Sequence, residues 1–163
     1  MASIHPPLTS APPRAWWPVL LAGVVVGTLD LVFVFTFWGV GWDVAPTRIL
    51  HSIAAGIQGA AAHQGGTASA ALGAACHYFI ATCMAAAWWL ASGRWALLRQ
   101  RPLACGLAYG LLLYGFMTWV VVPLSNAPPG GRMPLAWTLS SIAMHALIGV
   151  ICASLATPGR RGR

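Results

Sequence analysis

Four long apolar stretches constrain this chain more than any other feature. They cover residues 17–38, 69–91, 103–123 and 135–157. A helix needs about 20 residues to cross a hydrocarbon core of about 30 Å, and each stretch is long enough. The first contains one acidic residue, Asp30, and the other three contain no formal charge. The pattern predicts an all-α, polytopic membrane protein, with a four-transmembrane-helix bundle as a single domain over residues 1–163.

The composition indicates that lipid, and not water, surrounds most of this surface. Charged residues make up 7% of the chain, whereas about 25% is usual for a soluble domain. The net charge of +7 comes from nine arginines and two acids. A basic balance of this kind can indicate nucleic-acid binding. Here the arginines lie between the apolar stretches and at the C-terminus, so we expect the lipid bilayer as partner and no nucleic acid.

The arginines also predict an orientation. With four spans, seven of the arginines fall on the side that carries both termini: Arg14, Arg94, Arg99, Arg101, Arg160, Arg161 and Arg163. The opposite side carries Arg48 and Arg132. Because positive residues concentrate on the cytoplasmic side, we expect a multi-pass inner-membrane protein with both termini in the cytoplasm.

The connection between the first two stretches predicts an additional short helix over residues about 46–62. Ile49, Leu50, Ile53 and Ile57 recur at helical spacing, but the segment is too short to span. We therefore expect an amphipathic helix in the outer interface or a re-entrant helix. The terminal segments 1–14 and 158–163 are expected to be disordered.

Two G-x-x-x-G pairs predict close helix packing. Gly23 and Gly27 belong to the first span, and Gly106 and Gly110 to the third. Small residues at this spacing let helices approach closely. Two interpretations of this packing are open: the glycines can serve the bundle itself, or they can serve contact with a second copy or another membrane protein.

Four polar residues at similar depth form a predicted intramembrane cluster. They are Asp30, His77, Tyr114 and His145, one in each span. A carboxylate facing lipid costs at least about 2.5 kcal/mol. We therefore expect Asp30 to face the bundle interior, close to His77, His145 or Tyr114.

Three hypotheses account for this cluster. It can be a structural hydrogen-bonded group that fixes helix register. It can be the polar pathway of a small transporter or channel, because Asp and His chains mark such routes. It can also belong to a membrane redox protein that binds haem b or a metal through His77 and His145. No motif for a nucleophile–base pair or a phosphate-binding loop is present, so no catalytic residue is assigned. We expect a non-enzymatic membrane component or assembly subunit without a cofactor, and the other two hypotheses stay open.

Several short motifs resemble those of a known group of proteins. They are Gly27-Thr28-Leu29-Asp30, Leu72-Gly73 with His77-Tyr78-Phe79-Ile80-Ala81, Val121-Val122-Pro123-Leu124-Ser125, and His145-Ala146. Together they resemble an uncharacterised family of small four-helix bacterial inner-membrane proteins. The resemblance implies a fold and a bacterial inner-membrane location, and it implies no chemistry.

Overall fold

The computed structural model describes residues 15–158, and regular structure within this range is helical, with no strand. The helices are α1 (Trp17–Trp42), α2 (Pro46–Gln58), α3 (Gly66–Arg94), α4 (Ala96–Gln100), α5 (Pro102–Phe116), α6 (Val122–Leu124) and α7 (Leu135–Leu155). Residues 1–14 and 159–163, which belong to the segments expected to be disordered, lie outside the described range.

Four of the helical segments are long and apolar enough to cross a membrane: Trp17–Trp42, Gly66–Arg94, Pro102–Leu124 and Leu135–Leu155. The prediction of an all-α chain with four such helices is confirmed. Below, the end of the bundle that carries Trp42 is called the outer end, and the end that carries Trp17 the inner end. The first helix runs to Trp42, four residues beyond the expected boundary. It stops because Asp43 adopts a left-handed conformation (φ 53°). The backbone N–H of Asp43 donates to the Gly39 carbonyl and closes the helix.

The third long helix is continuous from α5 to α6 but contains a π-helical turn at Met117–Val121. The N–H of Val122 bonds the carbonyl of Met117, five residues back. Pro123 follows directly and lacks an N–H group, so it cannot bond the carbonyl four residues before it. The wider turn therefore lies where the regular hydrogen-bond ladder is interrupted, and turns of this kind are frequent at functional sites.

The long helices associate as two close pairs, α1 with α3 and α5 with α7, and α1 also packs on α7. Glycines make both pairs close. A Cβ on Gly110 would overlap the backbone of His145 and Ala146, and one on Gly23 would lie 2.8 Å from the Cα of Thr82. Gly27 faces the Tyr78 ring, and Gly106 faces the carbonyl of Gly149. Both G-x-x-x-G faces thus lie inside the bundle.

Helix α2 folds back against α3 rather than standing apart from it. Gly73 of α3 leaves no room for a Cβ beside the Leu50 carbonyl of α2. Ala54 and Ala55 are buried in this contact region. The helix ends at Gln58, four residues before the expected boundary, because Gly59 takes a positive φ of 65°. A 3₁₀ segment, Gly59–Gln64, then leads into α3.

The segment after α6 fixes the C-terminal end of α2. The backbone N–H of Asn126 donates to the Gly56 carbonyl at 2.9 Å, and its side-chain Nδ2 donates to the Ile57 carbonyl at the same distance. Gln58 accepts a hydrogen bond from Ser69 of α3 at 2.6 Å. These contacts satisfy two of the last carbonyls of α2, which have no partner within the helix.

The inner half of the bundle holds the main apolar core. Its buried members come from all four long helices: Val19, Ala22, Val26, Ala81, Ala85, Trp88, Leu113, Met144, Ile148, Cys152, Ala153 and Ala156. The indole N–H of Trp88 donates to the Thr157 hydroxyl at 3.0 Å, which satisfies the single polar group of this buried ring. The core therefore lies on the inner side of Asp30.

Candidate functional site

Asp30 and His77 lie beside one another across the α1–α3 contact. Asp30 Oδ2 is 3.8 Å from His77 Nε2, and the two side chains are 19% and 15% exposed. The same Nε2 lies 3.0 Å from the carbonyl oxygen of Gly27, one helical turn before Asp30. Because a carbonyl can only accept, Nε2 carries the proton and donates to Gly27. His77 is thereby fixed against α1, with Asp30 in ion-pair range and beyond hydrogen-bond distance.

The other two members of the predicted cluster form a second pair. The rings of Tyr114 and His145 meet edge to face, with centroids 5.5 Å apart. His145 Nδ1 lies 2.9 Å from the Ser141 carbonyl and must donate to it, which leaves Nε2 without a proton in the neutral ring. The structure thus places Asp30 next to His77 and Tyr114 next to His145, and among the described residues no ion pair joins Asp30 to His145.

A cavity of about 480 Å³ extends from Asp30 and His77 toward the outer end of the bundle. Its wall is formed by α1, α2, α3, the π-helical turn, the segment after α6 and the start of α7. Most of the lining is aliphatic or methionine side chains, together with Trp38 and Trp137. These two indoles pack against each other with centroids 5.1 Å apart and join α1 to α7. A mostly apolar cavity of this size with a few polar groups is typical of small-molecule sites.

Arg48 of α2 lines the same cavity, and it was not among the residues predicted for the cluster. The sequence places it near the outer interface, far along the chain from Asp30. The fold-back of α2 onto Gly73 brings the two onto one cavity wall. The only signal in the sequence was a single arginine, the one formally charged residue of this short amphipathic helix. Its relation to Asp30 depends on tertiary packing, which periodicity does not reveal.

The charged groups of the cavity have few protein partners. Among residues 15–158, none donates a hydrogen bond to the Asp30 carboxylate, and none accepts one from the Arg48 guanidinium. Ser52 uses its hydroxyl on the backbone carbonyl of Arg48 at 3.0 Å, and Ser125 uses its own on the carbonyl of Val122 at 2.8 Å. The cavity thus contains an acidic side chain that accepts no hydrogen bond from the described residues and a basic side chain that donates none to them.

The histidines differ in which ring nitrogen is already hydrogen-bonded. Within the described range, no three His, Cys, Asp or Glu side chains come together as a metal site. The Nε2 of His77 is engaged with the Gly27 carbonyl, so in this arrangement it is not free to bind a haem iron or another metal. At the outer end, His51 and His63 meet edge to face at 6.2 Å, and His51 Nε2 lies 2.8 Å from the Gly66 carbonyl. The four cysteines are free thiols.

Comparison with known proteins adds no assignment. No protein-family model, no curated protein and no solved structure matches this chain. The similarity to small four-helix bacterial inner-membrane proteins therefore rests on the short motifs alone and stays a prediction. The cavity ends at the Asp30–His77 pair, and these two ionisable side chains are the groups there that could interact with a polar ligand.

Proposed function

We propose that this chain is a non-enzymatic, multi-pass protein of the bacterial inner membrane that binds a small solute in its outer-half cavity. Both termini would lie in the cytoplasm, and the cavity would open toward the opposite side. The observation that carries this proposal is the cavity itself, because it leads from the outer segments to a carboxylate within a long apolar helix. Asp30 lies 12 residues before the end of α1 at Trp42, about 18 Å along the helix axis.

The membrane location is supported by what the helices expose. Large apolar side chains point away from the bundle, including Phe79 at 69%, Leu112 at 66% and Trp119 at 73% exposed. An exposed apolar surface of this extent is incompatible with a monomer in water. Arg94, Arg99 and Arg101 cluster between the second and third long helices, whereas Arg48 and Arg132 stand alone on the other side. This asymmetry supports the proposed orientation.

Solute binding explains the cavity better than a purely structural cluster does. A structural cluster at membrane depth satisfies its polar atoms within the protein, since an unpaired buried group costs about 1–3 kcal/mol. Asp30 instead receives no hydrogen bond from the described residues and borders an open volume. The buried apolar core on the inner side of Asp30 supports a one-sided binding site over a continuous channel.

Two valines on α1 provide a matched test of this cavity. Val34 lines the cavity, whereas Val32 is 56% exposed on the outside of the bundle and does not line it. In a chain whose four cysteines are replaced by alanine, Val34→Cys should react with a membrane-impermeant methanethiosulfonate added from outside. Val32→Cys should stay unreactive in lipid, because the reactive species is the solvated thiolate. No reaction at Val34→Cys, or equal reaction at both, would refute a water-accessible cavity.

A further inference from the structure

Opposite charges face one cavity without neutralising each other. Asp30 and Arg48 both line it, and no hydrogen bond or ion pair joins them. Among the described residues, Asp30 has only His77 in ion-pair range, at 3.8 Å. A cavity that presents an anion and a cation at separate positions favours a ligand with the complementary arrangement of charges. Arg48 is exposed, so a ligand with a single charge would engage only one of the two groups. A ligand with both charges gains a charge-assisted contact at each.

The remaining side chains of the cavity wall indicate the polarity and size of the middle part of such a ligand. Apart from Asp30, His77 and Arg48, the wall consists mainly of aliphatic, methionine and tryptophan side chains. A volume of 480 Å³ corresponds to a cavity about 10 Å across if it were spherical, which is the range of small organic molecules. A hydrocarbon body between two charged ends would cover this wall and remove water from it.

We propose that the cavity binds a small organic zwitterion, with its ammonium group toward Asp30, its acidic group toward Arg48 and an apolar body between them. This inference rests on the proposed solute-binding function and adds the class of solute. The ammonium group supplies the donors that Asp30 lacks among the described residues. Arg48 presents a planar set of donors that suits a carboxylate or a phosphate. His77 holds the inner end of the site in place through the Gly27 carbonyl.

The test uses protection of Val34→Cys in the purified, alanine-background full-length chain. The reagent is an uncharged methanethiosulfonate, so that charge changes in the protein do not alter its approach. The probes are ω-amino acids of increasing length, compared with the alkylamine and the fatty acid of equal length. We expect the ω-amino acids to slow labelling at a concentration at which neither single-charge analogue does. Equal protection by the alkylamine would show a cation site, and equal protection by the fatty acid an anion site. Either result overturns the zwitterion proposal.

Two variants assign the two ends. Asp30→Asn and Arg48→Gln should each raise the ω-amino acid concentration needed for half protection by about tenfold or more, as expected for the loss of one charge-assisted contact. Arg132→Gln is the matched control, because Arg132 is exposed and does not line the cavity. If Arg132→Gln has the same effect as Arg48→Gln, the effect is one of overall charge and the proposal fails.

The result also separates the two proposals. If Val34→Cys is labelled but no ω-amino acid of any length protects it, the zwitterion inference fails and the water-accessible cavity stands. If Val34→Cys is not labelled at all, the solute-binding proposal fails, and the zwitterion inference fails with it.

Discussion

The imidazole N–H of His77 on α3 bonds the carbonyl of Gly27 on α1 at 3.0 Å, one turn before the carboxylate of Asp30. The absence of a side chain at Gly27 allows this approach, since a Cβ there would lie 2.7 Å from the neighbouring Tyr78 ring. One histidine thus ties two helices together through the backbone and faces the only carboxylate in the described long helices. Its loss and the loss of Asp30 should therefore have different effects on the protein.

Replacement of His77 should destabilise the fold. His77→Leu removes the bond to the Gly27 carbonyl and leaves Asp30 without its nearest polar neighbour, so we expect a loss of about 1–3 kcal/mol in unfolding free energy. Thermal unfolding of the purified protein in detergent measures this loss. His51→Leu serves as the control, because His51 also bonds a backbone carbonyl but lies near the outer end. If His77→Leu unfolds like the wild type, the hydrogen bond from His77 to the Gly27 carbonyl does not stabilise the α1–α3 pair.

Replacement of Asp30 by its amide should leave the fold nearly intact. Asp30→Asn keeps the volume and removes the charge, and no hydrogen bond from the described residues depends on the carboxylate. We expect the unfolding free energy to change by less than about 1 kcal/mol, since the ion pair to His77 is long and partly exposed. Thermal unfolding of the purified variant in detergent measures this change. A large loss of stability would show that Asp30 is a structural member of the bundle and would favour the register-fixing hypothesis.

The α5–α7 pair should depend on Gly110. An added Cβ would overlap the backbone of His145 and Ala146, which cannot move aside as a flexible side chain can. Gly110→Ala should therefore lower stability by at least about 1–3 kcal/mol through overpacking. Gly41→Ala is a suitable control, because Gly41 is also helical and has no atom within 4 Å of the added Cβ. Equal stability of the two variants would show that α5 and α7 are not held at this distance.

The proposed topology makes a prediction about the connecting segments. Single cysteines introduced near Arg99 and at the C-terminus, in the alanine background, should be protected from an impermeant thiol reagent in intact cells. Cysteines at Ser52 and Pro128 should react, since both lie in outer connections. Permeabilised cells provide the control for reactivity. Reaction of the C-terminal cysteine in intact cells would overturn the orientation or the number of spans.

The sequence predicted the four long helices well because length and hydropathy alone determine them. It predicted a common depth for the four polar side chains, but not the direction in which each one points around its helix. Counting residues places Asp30, His77, Tyr114 and His145 at one level, but the rotation of each helix depends on packing at glycines such as Gly27 and Gly110. That rotation separates the four into the Asp30–His77 and Tyr114–His145 pairs.

The sequence did not predict the cavity. Arg48 faces it because α2 folds back onto α3, and this contact requires both Gly73 and the hydrogen bonds from Asn126. Asn126 follows Gly73 by more than fifty positions along the chain. The π-helical turn was also not predicted, since Pro123 indicated an interruption of the ladder but not its form.

The apolar core between Asp30 and the inner end has an electrical consequence. Asp30 lies eleven positions after Val19 on α1, about 16 Å along the axis, and the buried side chains around this segment are almost all hydrocarbon. A bare ion that reached the carboxylate would still face the full solvation penalty of this layer, which is tens of kcal/mol in a dry medium. If the chain spans a bilayer as we propose, we expect this layer to oppose the passage of ions in the present conformation. A cell that produces the protein in quantity would then keep its membrane potential, and passage of a charged species would require the inner half of the bundle to rearrange.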